Sequence, residues 1–186
     1  MENNLKLYMV MLGCTPDGRL TEQHDTFFGI GTSLKDLLPE MIAFWPEAKG
    51  QIHIDAWREV TSTDGYSIEV VERTTQISKK HLFFLNLGGY KKNEFEEYHY
   101  KVLTVAPAVA TAIKASKETA FYKHFGFKGA TSHIDEKYGI DVDDVFNVED
   151  ILGKHVKENY QLKITENTLA KADKLHIGYL AISKLI

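Results

Sequence analysis

Histidine and carboxylate residues stand two positions apart at two places early in this chain. Glu22 precedes His24, and His53 precedes Asp55. On a β-strand, residues two apart face the same side, so each imidazole would share a face with its carboxylate. A carboxylate that orients an imidazole is what a general base, a proton relay or a metal ligand requires. The two pairs are therefore the first places to expect a site.

Both pairs recur further along the chain. Glu97 and His99 repeat the first pair, and His133 and Asp135 repeat the second. Other landmarks recur in the same order: Leu12-Gly13 as Leu87-Gly88, and residues 66–72 as 160–166. A duplicated unit predicts two related modules that bury equivalent surfaces about a pseudo-twofold axis.

The repeated pairs define the predicted ligand-binding residues. These are Glu22, His24, His53, Asp55, Glu97, His99, His133 and Asp135. A second interpretation is structural, because a histidine at a sheet margin often bonds a carboxylate only to satisfy its own polar atoms. No spacing resembles a recognised metal-ligand motif, so neither a metal nor another cofactor is predicted.

Three further features carry weaker signals because the second copy does not repeat them. Cys14 follows the glycine that ends the first predicted strand, an exposed place for a thiol, yet its counterpart is Gly89. The acidic run 141–150 lacks the spacing of an EF-hand loop, which favours a solvated loop and a short helix capped by Asn147. Trp57 is predicted to share a strand face with His53 and Asp55 by period-two counting.

Hydrophobic patterning predicts the elements that position these residues. Strands are expected at 5–12, 24–30, 52–60, 66–72, 82–87, 98–105, 132–135, 160–166 and 175–182. A helix is expected behind Ser33, with an apolar stripe from Leu34 to Trp45 that Pro46 ends. A second helix is expected from Pro107, as its first residue, to Gly126. Asp64-Gly65 predicts a tight turn between two strands.

These elements predict an α+β fold of two tandem ββαββ-like repeats with mixed or antiparallel sheets and pseudo-twofold symmetry. The first repeat is expected at 1–77 and the second at 78–186, because both follow the order of the repeated landmarks. The second repeat is expected to carry an acidic insertion near 136–158 and a closing C-terminal strand.

Composition limits the classes of partner. With 22 basic against 26 acidic residues, no overall positive charge recruits nucleic acid or an anionic membrane. The apolar run at 7–12 is too short to span a bilayer, and the N-terminus lacks the basic flank of a signal peptide. A single cysteine fits a reducing compartment, so a cytoplasmic location is expected. The sequence is compatible with either a monomer or an oligomer.

Several segments resemble one bacterial family. They are Leu-Tyr-Met-Val-Met-Leu-Gly at 7–13, Glu-x-His-Asp at 22–25, His-Ile-Asp-Ala-Trp-Arg-Glu-Val at 53–60, Asp64-Gly65-Tyr66 and Leu-Gly-Gly-Tyr at 87–90. The chain resembles a two-copy member of DUF1543, a family of uncharacterised proteins. The resemblance implies no activity.

Three functions remain open from the sequence. The first is a module that binds a small polar molecule or a partner. The second is an enzyme in which His24 or His99 is the general base and Glu22 or Glu97 orients it. The third is a duplicated homodimer whose polar pairs only hold its halves together.

Overall fold

The fold is seen in a computed structural model that describes residues 4–76, 78–90, 93–117 and 140–185. The chain divides into two compact units by its internal contacts. Unit 1 comprises Met1–Gln76 with Ile151–Ile186, and unit 2 comprises Ile77–Asp150. The predicted repeats meet between residues 77 and 78. The compact units differ from these repeats, because residues 151–186 pack with unit 1.

A four-stranded antiparallel sheet forms the centre of the described part of unit 1. Its strands are β1 (Lys6–Cys14), β2 (Gln23–Gly31), β3 (His53–Glu59) and β10 (His176–Ala181), in the order β10-β3-β1-β2. Strand β1 is central, in keeping with its nearly continuous apolar sequence. Its side chains Tyr8, Val10 and Leu12 face a core completed by Leu37 and Met41.

The helix that covers this core is shorter than its apolar stripe predicts. Helix α1 spans Leu38–Phe44, preceded by a turn and followed by a 3₁₀ helix at Pro46–Ala48. Pro39 has no N–H to donate to Lys35, so the preceding residues form a turn with i to i+3 bonds instead of α-helix. Ser33 Oγ accepts from the Asp36 N–H at 3.4 Å within this turn, so Ser33 does not cap α1, whose N-cap residue is Leu37.

A second antiparallel sheet belongs to the same unit. It contains, among the described residues, β4 (Ser62–Thr63), β5 (Tyr66–Glu72) and β9 (Tyr160–Glu166), in that order. The predicted turn is present: Asp64 and Gly65 both have positive φ, at 51° and 78°, as a two-residue hairpin turn needs. Strands β5 and β9 pair along their full length, from Tyr66 opposite Glu166 to Glu72 opposite Tyr160.

The described part of unit 2 contains a three-stranded antiparallel sheet. Its strands are β6 (His81–Tyr90), β7 (Glu97–Ala106) and β8 (Ile140–Asn147), in the order β7-β6-β8. Helix α2 (Val109–Ser116) packs Ala112 against Phe83, Leu85 and Leu87. Pro107 lies before the helix rather than at its first position, and the predicted end at Gly126 lies outside the described residues.

The segment 141–147, predicted as a solvated loop, lies in strand β8. That prediction is wrong. Val142 and Val145 pack against the core of unit 2, and β8 pairs with β6. A bulge at Asp143 places these two valines three residues apart on one face, which hides the period-two pattern of a strand. The short helix α3 (Val148–Ile151) follows, and Asn147 Oδ1 accepts from the Glu149 N–H at 3.2 Å, as predicted.

The remaining elements complete unit 1. They are helix α4 (Lys154–Asn159) and a 3₁₀ helix at Ile182–Lys184. Asp173 anchors the segment 167–174, because its Oδ1 accepts from Thr61 Oγ1 and from the Ser62 N–H. The α+β class is confirmed, with mostly antiparallel sheets and few helices. The tandem repeat and its pseudo-twofold axis stay predictions.

Candidate functional site

The four predicted site residues of the first copy converge in unit 1. We call Glu22, His24, His53 and Asp55 the polar quartet. Asp55 Oδ2 lies 3.2 Å from His24 Nε2 and 3.2 Å from His53 Nε2. The Glu22 carboxylate lies 3.0 Å from His53 Nε2 through Oε1 and 3.5 Å from His24 Nε2 through Oε2. Both imidazoles therefore face the same two carboxylates.

The strand register explains this convergence. Gly13 of β1 lies directly between His24 of β2 and His53 of β3, since it pairs with both. A Cβ at position 13 would overlap Asp55 Oδ2 and His53 Nε2, so the space above this glycine is filled by the polar side chains of its neighbours. Glycine is thus required here by a close approach.

A β-bulge turns Asp55 toward the glycine. Ile54 pairs with Leu12 and Ala56 pairs with Met11, so the register passes over Asp55. Because of this bulge, the prediction that Trp57 shares a face with His53 and Asp55 is wrong. Trp57 pairs with Val10, on the core side, and packs against the core with Tyr8 at a ring distance of 6.2 Å. It does not share a face with His53 and Asp55.

The quartet is neither fully buried nor fully satisfied. The side chains of His53 and Asp55 are 13% and 22% exposed, while those of His24 and Glu22 are 38% and 45% exposed. Asp55 Oδ2 is itself buried and has no hydrogen-bond partner among the described residues, despite its two close imidazole nitrogens. A buried carboxylate oxygen without a hydrogen bond is costly to the folded protein.

Tyr179 adds an aromatic wall that the sequence pattern does not predict. Its ring lies 4.7 Å from the His53 ring at an interplanar angle of 35°, although the residue is 71% exposed. The register of β10 passes over Gly178 and Tyr179, and Gly178 has a φ of 128°. A glycine inside an apolar strand was the available signal, since such a glycine often marks a bulge.

A cavity of about 650 Å³ adjoins the quartet, and His24 belongs to both. Its other lining residues include Arg19, Asp25, Trp45, Glu47 and Lys49. Lys49 is ion-paired with Asp17, which also lines the cavity. The cavity is thus polar, with one large aromatic side chain.

The described part of unit 2 contains a related arrangement. His99 Nε2 lies 3.4 Å from Asp143 Oδ2, and Gly88 of β6 pairs with His99. A Cβ at position 88 would overlap the Asp143 carboxylate. Glu97 accepts a hydrogen bond from Tyr90, which raises the pKa of that phenol.

Among the described residues, Asp143 is thus a carboxylate beside His99 that the sequence did not predict. His133 and Asp135, which the sequence predicts as the second pair of the second repeat, lie outside the described residues. Asp143 sits at the bulge of β8 in the way that Asp55 sits at the bulge of β3, with Leu87 opposite Val142 and Asn86 opposite Asp144. The period-two count missed it for this reason.

Cys14 is not the exposed thiol that its place after Gly13 predicts. It is the last residue of β1, is 2% exposed and lies in the core of unit 1. Burial raises the pKa of this thiol, with smaller contributions from the nearby Asp17 and Glu22 carboxylates. A neutral, enclosed thiol is a poor nucleophile.

The described residues contain neither a metal-binding cluster nor a membrane-spanning helix. As the side chains stand there, no three or more His, Cys, Asp and Glu residues are arranged to hold a metal ion. No helix in the same part of the chain has the length and apolar character needed to cross a membrane.

Comparison with known proteins places the chain among uncharacterised relatives. A crystal structure of a protein Il1583 from Idiomarina loihiensis is similar in fold, with a TM-score of 0.57 and 18% identity over 95% of this chain and 97% of that one. At such identity the likeness shows the fold alone. No curated protein matches the chain. Residues 19–70, which include the whole quartet, match the family model of DUF1543, a domain of unknown function, which is the family that the sequence motifs indicate.

Proposed function

We propose that this chain is a binding module for a small polar molecule, with its site at the polar quartet of unit 1. One observation carries the proposal: two histidines from two strands meet two carboxylates above Gly13, and one of these histidines also lines a cavity. The cavity supplies room for a ligand, while the quartet supplies the groups that would orient it.

The size and lining of the cavity support this function. A volume of about 650 Å³ falls in the range of roughly 300–1,000 Å³ that small-molecule sites occupy. Trp45 offers a flat apolar surface, and Arg19, Asp25 and Glu47 offer charges of both signs. A few polar groups beside an aromatic surface are what a small polar ligand requires.

A purely structural role for the quartet is less well supported. Such a role needs pairs that are buried, satisfied and without a cavity beside them. Asp55 Oδ2 has no hydrogen-bond partner in the described chain, and His24 borders open space. The unmet bonding capacity favours a ligand as the missing partner.

Catalysis by His24 as a general base is the second candidate. Its closeness to Asp55 and Glu22 favours it, since a neighbouring carboxylate can orient a histidine that acts as a base. The nearby thiol does not supply a nucleophile, because Cys14 is buried with a raised pKa. Binding therefore needs fewer assumptions than turnover.

We also propose that the module arose by duplication, with repeats at 1–77 and 78–186. Support comes from the shared register of Gly13 with His24 and of Gly88 with His99. The bulged aspartates Asp55 and Asp143 add to this support. A cytoplasmic location in a bacterial cell agrees with the single buried cysteine and the family resemblance.

A thermal-shift screen of metabolites tests the binding function. A ligand at about 100 times its Kd adds about 2.7 kcal/mol of stability, which raises Tm by roughly 5–10 °C in a chain of this size. We expect hits with the wild type that disappear in His24→Ala and His53→Ala. His155→Ala, at an exposed histidine of α4, is the matched control and keeps them.

Two outcomes contradict the proposal. One is a hit that survives both quartet substitutions, because the ligand then binds elsewhere. The other is a broad screen without any hit while the two substitutions only lower Tm, which is what a structural role predicts. Product analysis of each hit separates simple binding from catalysis.

A further inference from the structure

We infer that two copies of this chain pair through strand β10, antiparallel and about a twofold axis. Strand β10 lies at one end of the four-stranded sheet of unit 1, and β3 is its single neighbour among the described strands. Within the described chain, the other side of β10 therefore offers backbone N–H and C=O groups that a further strand can bind. The inference goes beyond the proposed function and does not depend on it.

Three apolar side chains in and beside β10 are exposed. Leu175, Ile177 and Tyr179 are 59%, 81% and 71% exposed, and they stand two residues apart. Residues two apart on a strand share a face, and the next residue, Leu180, packs against the core of unit 1 on the opposite face. We call these three residues the β10 stripe. They form an apolar surface along the open edge of the sheet.

The other edge strands of the described sheets are protected against pairing. Charged side chains and short length are two devices that proteins use for this purpose. Strand β4 has two residues, and each longer edge strand carries at least one charged residue: Asp25 in β2, Glu97 in β7, Asp144 in β8 and Lys163 in β9. Strand β10, with the sequence His-Ile-Gly-Tyr-Leu-Ala, has no Asp, Glu, Lys, Arg or Pro. It lacks both forms of protection.

The order of residues in the β10 stripe favours a second copy as the partner. In an antiparallel pair about a twofold axis, a strand lies against its own sequence in reverse. With the axis at Ile177, that residue meets its own copy, while Leu175 meets Tyr179 of the second copy. Each cross-strand pair formed by the stripe is then apolar, and such pairs stabilise neighbouring strands. The stripe is thus complementary to itself.

The area of the stripe is sufficient for a weak dimer. Its exposed surface comes to roughly 450 Å², which is as large as the largest apolar patch of many monomers. Two stripes and the backbone edges between them would bury about 1,000–1,200 Å² in total, at the low end for a specific interface. The bulge at Gly178 also interrupts the ladder of β10 with β3 and shortens the regular edge. We therefore expect a reversible dimer that forms with rising protein concentration.

The interface would also reach the polar quartet. The Tyr179 ring contacts the His53 ring at a distance of 4.7 Å. Pairing that covers Tyr179 would enclose this side of the quartet, so the aromatic wall of the site would be complete only in the dimer.

Analytical ultracentrifugation of the full chain, from low to several hundred micromolar, tests the inference. We expect the average mass of the wild type to rise from that of one chain toward that of two. Ile177→Lys places two like charges against each other on the axis and should weaken dimerisation by about tenfold or more. Ile177 is 81% exposed, so this substitution should leave Tm nearly unchanged. Leu20→Lys, in the loop between β1 and β2, is the matched control because Leu20 is also fully exposed, and it should dimerise as the wild type does.

A pair of opposite charges tests the register. Leu175→Lys and Tyr179→Glu should each weaken the dimer when made alone. Combined in one chain, they place a lysine of each copy opposite a glutamate of the other, so the double variant should associate more tightly than the sum of the two single effects predicts. Additive losses would contradict the register with its axis at Ile177.

Three results would overturn the interface itself. The first is a wild type that stays monomeric over the whole concentration range. The second is a dimer that Leu20→Lys weakens and Ile177→Lys does not, because another surface would then join the copies. The third is continued growth beyond two chains, since an antiparallel pair about a twofold axis is closed. None of these results bears on whether the quartet binds a ligand, which the metabolite screen decides separately.

Discussion

Units 1 and 2 use the same strand register to hold a histidine against an aspartate. In unit 1, Gly13 lies opposite His24, and the bulged Asp55 reaches over it. In unit 2, Gly88 lies opposite His99, and the bulged Asp143 reaches over it. The exposed fractions agree closely, at 38% and 22% for the pair in unit 1 and 37% and 23% for the pair in unit 2.

Among the described residues, the two pairs have different neighbours. His53 stands opposite Gly13 and brings a second imidazole to the pair in unit 1, whereas Asp141 stands at the corresponding register position opposite Gly88. In unit 2, Glu97 accepts a hydrogen bond from Tyr90. A glycine, a histidine and an aspartate are thus common to both bulged sheets, and His53 is the described residue that distinguishes unit 1.

The largest expected effect is on folding, from a methyl group at either glycine. In Gly13→Ala the atoms nearest to the new Cβ belong to two side chains, Asp55 and His53, whereas in Gly88→Ala the nearest atoms belong to Asp143. Overpacking of this kind costs about 1–3 kcal/mol, and we expect Gly13→Ala to be the more damaging of the two. Urea denaturation of each variant measures the difference in the free energy of unfolding.

Gly18→Ala is not a suitable control, because Gly18 has a φ of 78° and a side chain there is strained by the backbone alone. Ala56→Gly, on the same face of β3 as His53, reports the cost of a comparable change without a clash. Equal losses for Gly13→Ala and Gly88→Ala would mean that His53 yields freely, and the two sites would then be alike in rigidity.

Exchanging the residue that distinguishes the units is the next largest test. His53→Asp introduces the residue type that stands at the corresponding register position of unit 2. If His53 contributes to binding, His53→Asp should weaken the affinity for a hit of the metabolite screen by about tenfold, equivalent to about 1.4 kcal/mol. Titration calorimetry of the wild type and of His53→Asp measures this difference.

Much of the fold follows from the sequence, and two of the failures share one cause. Strand β5 and strand β9 were expected at 66–72 and 160–166, where the structure has them, because their alternation is regular and a turn sets the register. Strand β8 was missed, and Trp57 was assigned to the wrong face. Both errors come from bulges, at Asp143 and Asp55, which shift the period by one residue.

The polar quartet was predictable in part, because residues two apart on a strand share a face. Glu22, His24, His53 and Asp55 each came from two-residue spacings, and the structure brings all four together. Spacing reveals which residues share a strand face, but it does not reveal which strands are neighbours. The contact between His53 and Tyr179 depends on β10 pairing with β3, a partnership more than a hundred residues apart in the chain that no local pattern encodes.

Cys14 gives a third test, since its counterpart in unit 2 is Gly89. The pKa of the Cys14 thiol is raised above its ordinary value by burial, so the neutral thiol stabilises the fold below the ordinary pKa. That contribution is lost as pH rises through the folded-state pKa. We therefore expect the stability of the wild type to fall relative to Cys14→Ala above about pH 8.5.

Alkylation by iodoacetamide checks the same burial directly. At pH 8 the native thiol should react at least about tenfold more slowly than the thiol of the urea-unfolded chain, because only an opened thiolate is attacked. Rapid labelling of the native protein would show that Cys14 is accessible, and a role for it beside the quartet would have to be reconsidered.

The smallest expected effect comes from Tyr179, which has no described counterpart in unit 2. The ring is mostly exposed and contacts His53 on one side, so Tyr179→Ala should cost the fold less than about 1 kcal/mol. If the ring only shields His53, Tyr179→Phe should behave as the wild type does, because the stacked surface is kept. If the hydroxyl itself contacts a ligand, Tyr179→Phe should weaken binding as much as Tyr179→Ala. Comparing the two variants by calorimetry therefore decides whether β10 contributes a wall or a bonding group to the site that distinguishes unit 1.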